Sequence, residues 1–195
     1  MKAHPLIQVA GVMAVLFVAS VAAFFLYKPV TPPLPVMGKA PSFELTNEHG
    51  QTFSSDGLRG YVWVADFFFT SCPGPCPKMS SNMSKLNRAF ESKPKVAMVS
   101  ISVDPERDNP EILQKYEKRL NAIESSWHFL TGDPAAIHDL SVKGFKIGDP
   151  DQLISHSTKF VLVDAKGDIR GYFEGTDEIE IQKLKNAISQ LLAET

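Results

Sequence analysis

Two cysteines carry the most distinctive chemistry of this chain, in the segment Phe69-Thr70-Ser71-Cys72-Pro73-Gly74-Pro75-Cys76-Pro77. The apolar and aromatic run from Tyr61 to Phe69, interrupted by Asp66 alone, ends at turn residues and reads as a strand buried on both faces. Beyond the second cysteine, Pro77 suits the first turn of a helix, where its missing N–H costs nothing, and Met79, Met83, Leu86 and Phe90 recur at helical spacing. The pair therefore sits at a strand-to-helix turn. Thiols there meet unpaired N–H groups and the positive end of the helix dipole, which favour thiolate and predict a lowered pKa. Thiolates are nucleophiles and soft metal ligands, so thiol–disulfide exchange and metal binding are both open. A purely structural Cys72–Cys76 disulfide is the weakest reading, because closing so short a loop gains little chain entropy.

Three residues separate the cysteines, one more than in the thioredoxin redox motif, which favours metal without closing the other route. Two thiolates under-coordinate a metal, and histidine is the natural further donor for copper or zinc. The chain has five histidines. His4 precedes an apolar N-terminal run, His49 falls in a turn and reads as a solvated residue, and His128 and His138 lie in a short strand and a helix, where packing accounts for them. His156 differs by location: it ends the irregular stretch that begins Gly148-Asp149-Pro150 and closely precedes the next strand. In a thioredoxin-like fold a loop there is brought up against the cysteine turn. Two thiolates and one imidazole suit Cu(I), the same set with an oxygen could hold Cu(II), and zinc would accept the same donors. A Cys72–Cys76 disulfide would remove both sulfur ligands, so redox state would gate binding. If the pair instead exchanges thiols, Cys72 attacks and Cys76 resolves. Met79 and Met83 read as core, not as donors.

The elements that must position these residues alternate. Phe43 to Phe53 reads as a hairpin around Asn47-Glu48-His49-Gly50, and Val96 to Val103 as a strand. A helix follows with Asn109 as N-cap, Pro110 at its first position and Ile112, Leu113, Tyr116 and Leu120 as its apolar stripe. Trp127 to Leu130 is a short strand and Pro134 to Val142 a third helix. Thr158 to Val163 and Ile169 to Phe173 form a second hairpin, and Glu178 to Ala193 a closing helix. The charged run Asp104-Pro105-Glu106-Arg107-Asp108 reads as a loop leading into a helix. Strands alternating with helices predict an α/β sheet covered on both faces, and the cysteine placement gives it a thioredoxin-like look.

The N-terminus is different in kind. Leu6 to Tyr27 is uncharged and almost wholly apolar, and roughly 22 residues match the ~20 that cross a membrane. We read residues 1–5 as a cytoplasmic N-terminus, 6–27 as a transmembrane anchor, 28–37 as a stiff Pro-rich linker and 38–195 as the soluble domain. The rival is a cleaved signal peptide, for which Ser20-Val21-Ala22 has the small-residue spacing, but against it the run continues through Phe24, Phe25 and Leu26. Lys2 before the span and Lys28 after it lean towards a domain on the outer side of the membrane. The whole chain carries 20 basic and 22 acidic residues, and no acidic residue falls before position 37, so the domain is acidic and offers no nucleic-acid footprint.

These residues together resemble the Sco/SenC family of membrane-anchored copper chaperones. The resemblance rests on Ala40-Pro41-Ser42-Phe43-Glu44-Leu45, the Phe67-Phe68-Phe69-Thr70 approach to Cys72 and Cys76, Val99 to Arg107, Leu130-Thr131-Gly132 and His156-Ser157-Thr158. It implies an α/β thioredoxin-like fold with an N-terminal β-hairpin extension, preceded by one transmembrane helix. It implies copper, Cu(I) or Cu(II), on Cys72, Cys76 and His156. It further implies delivery of copper to, or thiol preparation of, the dinuclear copper centre of cytochrome c oxidase subunit II or another copper-protein acceptor. The setting would be the inner membrane of a bacterium or a mitochondrion. Gly74-Pro75 and Ser155 stand where family members often carry acidic residues, which alters the surroundings of the site but no ligand. A peroxide-reducing relative is a poor match, because Ala65 and Phe69 stand where the Pro and Thr of that motif would be.

Overall fold

The computed structural model describes Met13 and residues 16–22, 32–152 and 157–194. Residues 16–22 are helical, with Leu16, Phe17, Val18 and Val21 exposed. No helix among the described residues is long and apolar enough to cross a membrane, and the rest of the expected Leu6–Tyr27 span lies outside them.

A compact unit begins at Leu34. Its elements are β1 (Gly38–Lys39), β2 (Glu44–Asn47), β3 (Thr52–Ser54), β4 (Val62–Phe68), α1 (Cys76–Ala89), β5 (Val96–Ser102), α2 (Pro110–Leu120), β6 (Trp127–Thr131), α3 (Pro134–Asp139), β7 (Lys159–Val163), β8 (Asp168–Glu174) and α4 (Glu178–Ala193). The strands form one sheet in the spatial order β1-β8-β7-β4-β5-β6-β2-β3. β4, β5 and β6 run parallel, joined by α1 and α2, while β7 lies antiparallel on the other side of β4. Every residue of β4 and β5 is buried, as a strand covered on both faces demands.

Alternation along β4 divides the core. Phe68 points to the face carrying α2, where its ring meets Tyr116 at 5.2 Å. Trp63 and Phe67 point the other way and meet the edge of Phe145 at 6.0 and 5.7 Å. Phe145 is fully buried and also touches Phe43, which leads into β2, so one ring ties the N-terminal hairpin to the central strand. The expected third helix through Val142 is divided: α3 stops at Asp139 and the chain continues as a wide turn over Leu140–Gly144, closed by the Phe145 N–H donating to Leu140 O at 2.8 Å. A side chain at Gly144 would sit 2.8 Å from the Pro41 ring, so glycine there admits the N-terminal segment.

The helix signals read from sequence are realised at residue level. Asn109 caps α2 by accepting from the Ile112 N–H at 3.0 Å, and Asn121 ends it in the left-handed conformation at φ 50°. The two-residue β1 was not anticipated. It pairs with β8, and Arg170 hydrogen-bonds the carbonyls of Leu34 and Pro35, so the end of the Pro-rich segment is strapped to the sheet. Replacing Phe145 by Ala should lower stability by about 3–5 kcal/mol, the cost of a large aromatic cavity, measured as a shift in the urea unfolding midpoint at unchanged slope.

Candidate metal and thiol site

β4 ends at Phe68, and the next residues leave the sheet held by one buried carboxylate. Asp108 is fully buried; it accepts from the Thr70 N–H at 2.9 Å, from the Thr70 hydroxyl, and from the Ser102 hydroxyl at 2.6 Å. That clamp joins the approach to Cys72 to the end of β5. A turn follows in which the Cys72 N–H donates to Phe69 O at 3.3 Å. Cys76 is the first residue of α1, and Pro75 at the N-cap supplies no side-chain acceptor. The start of α1 therefore has no side-chain cap, and Cys76 stands at its first position.

Both cysteines are thiols in this structure, 6% and 3% exposed, and their side chains hydrogen-bond one another. They line a cavity of about 330 Å³ together with Phe69, Ser80, Tyr116 and Arg119. The Arg119 guanidinium lies 4.5 Å over the Tyr116 ring, and the Tyr116 hydroxyl shares a hydrogen bond with Ser80 at 2.7 Å. The cavity is thus walled by α1 and α2 with one cation at its rim.

The expectation of a lowered thiol pKa fails for Cys76. Burial first, then the hydrogen bond with Cys72, push it up to about 12, and the negative charges of Cys72 and Asp66 add to the rise against a lowering backbone hydrogen bond from Phe69. Asp66 is itself 1% exposed on β4, and burial raises its carboxyl to about 7 despite the Ser100 hydroxyl donating to it at 2.6 Å. Ser100 in turn accepts from the Trp127 indole N–H at 2.9 Å. A proton-holding chain therefore runs from β6 through β5 to the strand that delivers the cysteines.

His156, with residues 153–155, lies outside the described residues. Its described successors enter the sheet at the cysteine end: β7 runs antiparallel to β4 with Val161 opposite Ala65, so Lys159 begins near the end of β4. Thr158 O accepts from the Gly175 N–H at 2.7 Å, and Gly175 O accepts from the buried Asn82 of α1 at 2.9 Å, which links this entry to the cysteine helix. His138 bonds Asp149 O at 3.2 Å, and the His128 ring lies 4.9 Å from that of Phe53, both packing roles as read. Met79 and Met83 are fully buried in the core. His49 is exposed in the turn, as read, and its Nε2 also faces the carboxylates of Glu124 at 3.1 Å and Glu48 at 3.4 Å. Two positioning residues escaped the sequence: Asp108, hidden in a charged run that looked like a simple helix lead-in, and Asp66, whose only signal was a lone acid in an apolar strand.

The SCO1/SenC family profile matches residues 36–193. The SCO1 protein homolog of Bacillus subtilis (strain 168) is 34% identical over 142 residues, which cover 69% of this chain and 73% of that protein. In structure the chain is similar to BsSco, a member of the Sco family of cytochrome c oxidase assembly proteins in which a disulfide switch has been identified. That likeness has 29% identity and a TM-score of 0.72, and it covers 86% of this chain and 100% of that one. It is similar also to Bradyrhizobium japonicum ScoI with copper bound, at 25% identity and a TM-score of 0.64 over 78% of this chain and 99% of that one. The thioredoxin-like α/β expectation is borne out by these likenesses.

Two outcomes follow from the buried acids. Because the folded Asp66 holds its proton up to about pH 7 while the unfolded chain releases it near 3.8, the folded state binds the extra proton in that window. Its contribution is therefore most favourable below the window, falls as pH rises through it and levels off above it. Urea unfolding of the native chain and Asp66→Asn at pH 5 and pH 8 should show the native chain losing stability relative to the variant at pH 8, and alkylation of Cys76 in the variant should titrate at lower pH. Asp108→Ala strands the Thr70 N–H and the Ser102 hydroxyl, and should cost about 3 kcal/mol or more in the same unfolding measurement.

Proposed function

The chain belongs to the SCO1/SenC family, and from that premise and the thiol site we propose that it is a membrane-anchored copper metallochaperone whose cargo is held by Cys72, Cys76 and His156. The observation that carries the reading is a pair of buried, mutually hydrogen-bonded thiols at the uncapped start of α1, at the end of the sheet where the chain re-enters β7. Two sulfurs and one imidazole form a soft, low-coordination set that suits Cu(I) better than harder ions. Relatives support the same cargo, since Bradyrhizobium japonicum ScoI was solved with copper bound. BsSco belongs to a family of cytochrome c oxidase assembly proteins, and we assign this chain to that assembly, with the dinuclear copper centre of subunit II as acceptor.

Burial makes the site proton-coupled. Cys76 is a neutral thiol at pH 7, so loading must displace its proton as the Cu–S bond forms, and copper affinity rises with pH. Transfer to an acceptor then runs by ligand exchange, in which an incoming thiolate replaces one sulfur and the proton returns to Cys76. The Leu6–Tyr27 run supplies the anchor, residues 28–37 the tether, and the domain faces the periplasm, or the intermembrane side in a mitochondrion.

A second reading, thiol–disulfide oxidoreductase, is favoured by the interaction of the Cys72 and Cys76 side chains and by the disulfide switch identified in BsSco. In that chemistry Cys72 attacks a partner disulfide, Cys76 displaces the partner thiol, and the pair leaves oxidised.

His156 separates the two. In an anaerobic Cu(I) competition titration on the full chain in detergent micelles, the native protein should take up one copper, and both Cys72→Ser and His156→Ala should weaken it by about tenfold or more. Unchanged affinity in His156→Ala would remove the three-ligand site and leave the reductase reading, which does not need the imidazole.

A further inference from the structure

A second group of metal-ligating side chains gathers at the opposite end of the sheet. β2 pairs antiparallel with β6, Asn47 opposite Leu130, so the turn after β2 runs back towards the start of the parallel strands, away from the cysteines. There Glu48 and His49 from the turn meet Glu117 from the last turn of α2, and their ligand atoms all lie within 4.8 Å of one another. Glu124, in the loop between α2 and β6, completes the set with its Oε1 at 3.1 Å from His49 Nε2.

Two of these carboxylates belong to nearly buried residues whose oxygens converge on His49. Glu48 is 2% exposed; its Oε2 accepts from the Phe129 N–H at 2.9 Å, which leaves Oε1 turned to His49 at 3.4 Å. Glu117 is 6% exposed, and its carboxylate accepts no hydrogen bond from any described residue. Its acidity is weakened by burial first and then by the charges of Glu48 and Glu124, with His49 and Lys118 acting the other way. Three acids thus face one imidazole, an imbalance that a single divalent cation would remove.

We propose that Glu48, His49, Glu117 and Glu124 form a second cation site, for a borderline divalent ion of the Zn(II) class, that pins the β2–β3 turn to the end of α2. The donor set disfavours Cu(I), because it contains no sulfur and is dominated by hard carboxylate oxygen. It matches zinc, which takes imidazole nitrogen and carboxylate oxygen at about 2.0–2.2 Å in a tetrahedron, whose edges are then about 3.3 Å. The His49–Glu48 and His49–Glu124 separations of 3.4 and 3.1 Å already have that length. Gln114, whose amide nitrogen lies 3.4 Å from His49 Nδ1, would turn its amide to accept from the Nδ1–H once Nε2 holds the ion. Access is open on both sides, since His49 and Glu124 border two surface depressions of about 520 and 360 Å³.

The test removes the sulfur site first. The full chain carrying Cys72→Ser and Cys76→Ser, in detergent micelles, is titrated with Zn(II) by calorimetry and its melting temperature is followed with Zn(II) and with EDTA. We expect one zinc bound and a raised melting temperature in this parent. Adding His49→Ala or Glu117→Gln should weaken binding by about tenfold or more and abolish the rise. Glu117→Gln keeps shape and removes only charge, so in EDTA it should melt no lower than the parent, which separates lost ligation from lost folding. No zinc-dependent rise in the parent, or an equal rise in parent and both variants, would overturn the site.

Discussion

The structure depends on the complete burial of β4. A strand covered on both faces has no freedom to shift, so the residues at its end are placed by the core and not by the loop that contains them. Phe68 is held by the α2 face and Phe67 by Phe145, and the cysteines follow within a few residues. Asp108 then carries that rigidity past the end of the strand, because its three accepted hydrogen bonds tie Thr70 to the β5 terminus. A site that must present two sulfurs at fixed separation benefits from such a frame.

Burial also decides the chemistry of the thiols. The helix dipole and the open N–H groups of α1 argue for a thiolate, but an interaction at a helix terminus is worth about 0.3–1 kcal/mol. Burial moves a fully desolvated group by up to about 3–5 pKa units, each about 1.4 kcal/mol. The larger effect wins at Cys76, and Asp66 beneath the same strand reinforces it. The same desolvation keeps Asp66 protonated to about pH 7, so two proton-holding groups lie within one buried layer.

Much of this was legible in the residues because the signals were local. Asn109-Pro110 announced the start of α2, the unbroken apolar run announced β4, and the helical spacing of Met79 and Met83 separated core from ligand. What escaped was non-local. Nothing in the sequence brings Asp108 to Thr70 or Glu48 to Glu117, since each pair is joined only when the sheet assembles. His49 is exposed in its turn as its sequence suggests, but the approach of Glu117 and Glu124 to it comes from α2 and the following loop, far along the chain. The lowered thiol pKa was misjudged because sequence reveals the helix start but not the depth at which it is buried.

A raised thiol pKa makes Cys76 less reactive than an ordinary thiol. Neutral Cys76 is a poor nucleophile and a poor target for oxidants until something removes its proton. A soft cation does so, and in binding it exchanges the cost of a buried negative charge for a metal–sulfur bond in a low-dielectric pocket. On the proposed copper reading release would run the other way, since an acceptor that offers its own thiolate would let Cys76 recover its proton and the neutral state that burial favours. Desolvation thus protects the reduced Cys76 thiol, and Arg119 sets one positive charge among the residues that line its cavity.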